Sequence, residues 1–207
     1  MRTTYQSVVM AGGGSRTFWH AGFWSVTAEP LALAPRQVAT VSAAAAMACA
    51  IFSGRAQMAL SLFKEVTTGN KKNAYWGNAL RGEPIFPHER MYRKTLLDLV
   101  DAESLGKIHA GPDIRVLLGH TPRWLGPRAG ALLALAAYNF EKRVRNNIHP
   151  DAAKVLGFEK QVVSARQCTT PDELADLILA SSCTPPMTSL RRWNGRYALD
   201  GGVIDNV

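Results

Sequence analysis

The chain has 207 residues, 47% of them hydrophobic and 19% charged, enough apolar content for a packed core and too much for a globally disordered chain. Lys and Arg number 24 against 16 Asp and Glu; the resulting +8 favours anionic partners such as phospholipid surfaces or nucleic acid and says nothing about fold. Three scattered cysteines (Cys49, Cys168, Cys183) are too few for a disulfide framework or a zinc site and point to a reducing, cytoplasmic setting.

The N-terminal apolar run is too brief for a signal-peptide core. Ser7 to Ala11 reads as a short buried strand stopped by Gly12-Gly13-Gly14, and Phe18 to Ala28 as a helix. Val38 to Val41 is β-branched and predicts a second strand. From Ala43 an alanine run predicts a helix that ends near Gly54. The apolar stretch Val38 to Phe52 is shorter than the roughly 20 residues that a spanning helix needs. Helices are expected over Gln57 to Val66 and Glu89 to Val100, with loop between Thr67 and Pro87. Ile114 to Leu118 reads as a strand, and Thr121 to Gly130 as a turn or lid rich in Gly, Pro and Arg. Ala129 to Val144 predicts a helix and Gln161 to Ala165 a strand. A helix from Pro171 to about Ala180 is capped by Thr170, and Tyr197 to Leu199 is a last strand before Asp200-Gly201-Gly202. Strands alternating with helices predict an α/β fold with a largely parallel sheet.

Three local patterns carry chemistry. Gly12-Gly13-Gly14-Ser15-Arg16 stands between a strand and a helix, where bare N–H groups and a helix N-terminus stabilise a phosphate or an oxyanion. A dinucleotide fingerprint fails there, because Thr17 replaces its third glycine, and no Gly-Lys-Ser/Thr completes a Walker loop. Ser42 lies at a strand-to-helix junction, where it either caps the alanine-rich helix or is an elbow nucleophile. Against Gly-x-Ser-x-Gly the chain has Thr40 and Ala44 at the glycine positions. Both side chains are expected to crowd the turn, open it and weaken activity. Asp200-Gly201-Gly202 either forms a common turn or aims a carboxylate at a partner.

The five histidines (His20, His88, His109, His120, His149) occupy unrelated contexts and read as surface or loop residues; no pair has metal-ligand spacing. None follows Asp200, which argues against a triad in the order Ser…Asp…His; Asp113 with His149 remains open by order alone. The basic residues are dispersed (Arg123, Arg128, Lys142, Arg143, Arg145, Arg191, Arg192), so no nucleic-acid partner is expected.

Taken in order, these blocks make the chain resemble the patatin-like acyl hydrolases. The matching pieces are Gly12 to Arg16 with the Phe18 to Phe23 helix start, the Ser42 elbow, Ala180 to Pro186, and Tyr197 to Asn206. The resemblance implies a three-layer α/β sandwich with a mostly parallel central sheet flanked by helices, over residues 1–207 as one domain. Since family members continue past the Asp-Gly-Gly block, it also implies a fragment or a shortened domain. It implies a serine acyl hydrolase of phospholipids or related lipids, with Ser42 as nucleophile and Asp200 as base. Gly12, Gly13, Gly14 and Arg16 would form the oxyanion hole, with no metal or cofactor. The expected partners are a lipid or acyl-ester substrate and the surface of an anionic membrane, touched through Pro122 to Arg128 and Lys142 to Arg145. The rival reading is a catalytically impaired patatin-fold protein that binds lipid or a partner.

Overall fold

The computed structural model describes residues 5–140 and 152–206. Its strands are β1 (Ser7–Met10), β2 (Gln37–Val41), β3 (Asp113–His120), β4 (Glu159–Ser164), β5 (Arg191–Trp193) and β6 (Arg196–Asp200). The helices are α1 (Phe18–Thr27), α2 (Ala43–Phe52), α3 (Ala56–Gly69), α4 (His88–Leu99), α5 (Ala102–Ala110), α6 (Pro127–Phe140), α7 (Ala152–Val155) and α8 (Pro171–Ser181). Most lie within a few residues of their expected positions. The residues 141–144 expected to extend α6, and His149, Lys142, Arg143 and Arg145, lie outside the described residues. Three elements lie outside the sequence expectations: β5 and α7, which are very short, and the full helix α5. Helix α5 begins with a reciprocal cap: Asp101 accepts the Ser104 N–H at 2.8 Å, and Ser104 Oγ accepts the Asp101 N–H at 2.9 Å.

The sheet is mixed. β1, β2 and β3 are parallel neighbours, while β4 and β6 run antiparallel to β3, and β5 antiparallel to β6. A strand has only two edges. β4 occupies one edge of β3 from Arg115 to His120, so β2 and β6 share the other. β2 runs along it as far as Val41, opposite Leu117, and β6 runs the opposite way as far as Asp200, opposite Leu118. Their C-terminal ends therefore meet head-on beside neighbouring residues of β3. That convergence positions the site described below.

Helices cover the sheet on two faces, completing the three layers. The larger core joins Val38, Ile114, Val116 and Ala198 of the strands to the buried sides of α2, α4, α5 and α8. Leu174, Leu177 and Ile178 of α8 are fully buried there, each contributing about 1.5–3 kcal/mol. The smaller core gathers Leu199, Ile204, Phe158 and the alanines Ala131 and Ala134 of α6. Successive residues of β6 thus serve opposite faces, Ala198 the larger core and Leu199 the smaller, as the two-residue period of a strand requires.

One histidine departs from its expected surface position. His120 is 0% exposed and stands in β3, its ring nitrogens 3.1 Å from the Tyr197 carbonyl and 2.7 Å from Gln161 Oε1. A buried imidazole with both nitrogens partnered ties β3 to β6 and β4, a structural role that its Gly-His-Thr context does not disclose.

Candidate active site

Ser42 is the residue between β2 and α2, and its backbone is strained. With φ 57° and ψ −136°, it holds a conformation that L-residues avoid, at a cost of order 1–3 kcal/mol. The strain is held in place by hydrogen bonds. The Ser42 N–H donates to Ser181 Oγ at 2.8 Å, and Ser181 Oγ in turn donates to the Leu117 carbonyl at 2.7 Å. The Ser42 carbonyl accepts the Ala45 N–H at 3.0 Å. The side chain makes no capping bond to α2. Instead, Ser42 Oγ donates to Asp200 Oδ2 at 2.6 Å, the short distance of a charge-assisted bond.

Asp200 is fixed just as firmly. Its N–H donates to the Cys183 carbonyl at 2.8 Å, and its Oδ1 accepts the Gly202 N–H at 2.8 Å. Gly201 is required by close approach, since a Cβ there would lie 2.4 Å from the Leu117 carbonyl oxygen. Burial pushes the Asp200 carboxyl up from 3.8 to about 6, against the opposing pull of the Ser42 and Gly202 hydrogen bonds. The group is still ionised at neutral pH and can accept a proton.

The Gly-rich loop faces this pair. Gly12, Gly13, Gly14 and Arg16 line a cavity of about 220 Å³ together with Ser42 and Asp200. Gly12 lies directly against the elbow: a Cβ there would fall 3.3 Å from Ser42 Cβ and 3.2 Å from the Val41 carbonyl oxygen. Arg16 is curled onto the loop, its Nε donating to the Gly13 carbonyl at 3.2 Å. A second cavity of about 420 Å³ runs between α2, α3 and α4, walled by apolar residues such as Met47, Phe63, Val66, Met91 and Leu96. Ser42 and Asp200 border both.

The expected opening of the elbow does not occur. Thr40 stays in the β2 ladder opposite Val116, and its Oγ1 donates sideways to the Arg115 carbonyl at 3.0 Å rather than filling the turn. Ala44 packs in the core. The room an elbow needs comes from across the gap, where Gly12 presents no side chain. Asp113, the earlier acid, is paired with Arg115 at the far end of β3, about 16 Å along the strand from Leu118.

Two further residues, to which the sequence patterns give no role, lie close to the pair. Ser181 is the hydrogen-bond hinge between Ser42 and β3 described above. Asn206 is the second. Its Oδ1 lies 2.8 Å from the place of a Cβ on Gly12 and 3.0 Å from that of a Cβ on Gly202, so it is wedged between the Gly-rich loop and the Asp200 turn. A serine in an apolar helix end and an asparagine a few residues past Asp-Gly-Gly were the available signals. Neither spacing shows that the side chain reaches the elbow.

Among the described residues, no group of three or more His, Cys, Asp or Glu is placed to hold a metal ion. No described helix is long and apolar enough to cross a membrane. A search of curated proteins finds no match to the chain. The family model for patatin-like phospholipase matches residues 8–207.

Proposed function

The chain belongs to the patatin-like phospholipase family, whose activity is lipid acyl hydrolysis, and we propose that residues 1–207 form one domain that cleaves fatty-acyl esters of phospholipids or related lipids. Ser42 is the nucleophile and Asp200 its base. The observation that carries this reading is the 2.6 Å bond from Ser42 Oγ to Asp200 Oδ2 at a residue held in the strained elbow conformation. Oδ2 takes the hydroxyl proton as Oγ attacks the ester carbonyl, and the charge collects on the former carbonyl oxygen. Amides of Gly12 to Gly14, with the Arg16 guanidinium nearby, stabilise that oxyanion; one such donor is worth about 3 kcal/mol. Collapse of the tetrahedral species breaks the ester C–O bond, and Asp200 returns its proton to the departing alcohol. Asp200 then takes a proton from water as that water attacks the acyl-serine, and returns it to Ser42 Oγ as the acyl C–O bond breaks and the fatty acid leaves.

The apolar cavity between α2, α3 and α4 suits the acyl chain, and the smaller cavity beside the Gly-rich loop suits the alcohol portion. We place the protein in the cytoplasm, in keeping with three buried free thiols, and at anionic lipid surfaces, to which its +8 charge draws it. The rival reading, an impaired, purely binding protein, rests on crowding by Thr40 with Ala44; the sideways hydrogen bond of Thr40 and the core packing of Ala44 speak against that crowding. The test is reaction with a fluorophosphonate followed by peptide mass spectrometry, with turnover of a short-chain ester measured in parallel. Labelling of Ser42 and its loss in Ser42→Ala are expected. Folded protein that neither labels at Ser42 nor turns over ester would favour the binding protein.

A further inference from the structure

Helix α6 is built inside out. Its buried side consists of the smallest residues, Gly130, Ala131, Ala134 and Ala137, and at Gly130 the helix lies so close that a Cβ would meet Thr121 Cγ2 at 2.7 Å. Leu133 is half-buried against the smaller core, whereas Leu132 and Leu135 point the other way. Leu132 is 69% exposed and Leu135 45%, and with Arg128 and Ala136 they follow the i, i+4, i+7, i+8 spacing of a single stripe. A helix that is apolar on both sides is normally covered on both. In the loop leading into α6, Trp124 is 74% exposed and stands in sequence between the exposed Arg123 and Arg128. Residues 121–140 include no Asp or Glu. The stripe is continuous with the site, because Leu135 is both exposed on it and part of the wall of the cavity that holds Ser42.

We infer that this stripe and the loop before it, Leu132 and Arg128 with Trp124 and Arg123, form the surface by which the protein seats on an anionic lipid bilayer. The choice of lipid rests on the hydrolase reading and on charge. A surface whose ionised groups are all arginines complements lipid phosphates, and an indole flanked by cations suits the boundary between headgroups and acyl chains. Seated in this way, the rim at Leu135 faces the layer from which an acyl ester would enter.

The test uses the full chain with vesicles of phosphatidylcholine alone and of phosphatidylcholine mixed with phosphatidylglycerol, read by co-sedimentation. Wild-type protein should bind the mixed vesicles more tightly. Trp124→Ala and Leu132→Ser should each weaken that binding about tenfold, the scale of one apolar side chain withdrawn from lipid. Neither residue lines a cavity at the site, so turnover of a soluble short-chain ester should be unchanged in both. Joint replacement of Arg123 and Arg128 by Gln should erase the preference for phosphatidylglycerol. The inference is overturned if wild-type protein binds neither vesicle, or if binding survives both apolar substitutions. It is also overturned if light scattering shows a dimer that Leu132→Ser disperses without any vesicle binding, which would make the stripe a contact between copies. Vesicle binding with the expected losses but no ester turnover would sink the hydrolase reading and leave the docking surface standing.

Discussion

Replacing Asp200 by Asn should abolish turnover and stabilise the fold, opposite effects of one atom change. In the native protein, Oδ2 accepts the Ser42 hydroxyl and Oδ1 the Gly202 N–H, yet burial outweighs both and raises the carboxyl from 3.8 to about 6. A carboxyl with a raised native pKa binds its proton more tightly folded than unfolded. Stability therefore falls as pH rises from about 4 to about 6 and stays at the lower level above that. The gap of about 2 pKa units, at 1.36 kcal/mol each, corresponds to a cost of up to about 3 kcal/mol at neutral and alkaline pH. Asn does not ionise and keeps an oxygen for Gly202, so the variant escapes this cost. Urea unfolding should show it more stable than wild type by up to about 3 kcal/mol at pH 8, with a smaller advantage of about 2 kcal/mol at pH 5. Its amide cannot take the serine proton, so kcat on a short-chain ester should fall about 10³–10⁴-fold. A folded variant that keeps its turnover would refute the assignment of Asp200 as base. One less stable than wild type at pH 8 would refute the claim that burial dominates this carboxyl.

In wild-type protein, kcat/KM should rise with pH through about 6 as Asp200 ionises, and a rising limb near pH 4 would contradict the burial of that group. Ser181→Ala leaves the buried Ser42 N–H unpartnered, so a loss of about 1–3 kcal/mol in stability is expected together with slower phosphonate labelling; unchanged labelling would show that the elbow holds without it. Gly12→Ala places a methyl against Asn206 Oδ1 and Ser42 Cβ, and the resulting shift of the loop should lower kcat about a hundredfold with the fold retained, as checked by circular dichroism and ester kinetics. Joint Thr40→Gly and Ala44→Gly substitution should not raise kcat, and it should cost about 1 kcal/mol per glycine plus the Thr40 hydrogen bond; a gain in kcat would restore the crowding argument.

The sequence alone carried the features that depend on neighbours along the chain. The Gly12 to Gly14 turn, the strand before Ser42, the alanine-rich helix after it and the Thr170 cap of α8 are local in origin, and propensity and capping are local forces. What the sequence left open at Ser42, cap or nucleophile, turned on where its hydroxyl proton goes, and the partner stands 158 residues away. Only the shared edge of β3, where β2 and β6 end opposite Leu117 and Leu118, brings the two together. The same holds for Thr40, whose effect on the elbow depended on a carbonyl in β3, and for His120, buried by strands on both sides of it. The inside-out packing of α6 follows this pattern too. Its composition shows an apolar helix, but which side is pressed against the sheet is decided by how closely Gly130 and the alanines approach Thr121 and the smaller core. That choice leaves Leu132 and Leu135 outside and Leu133 half-buried, because only residues without bulk fit the closest part of the gap.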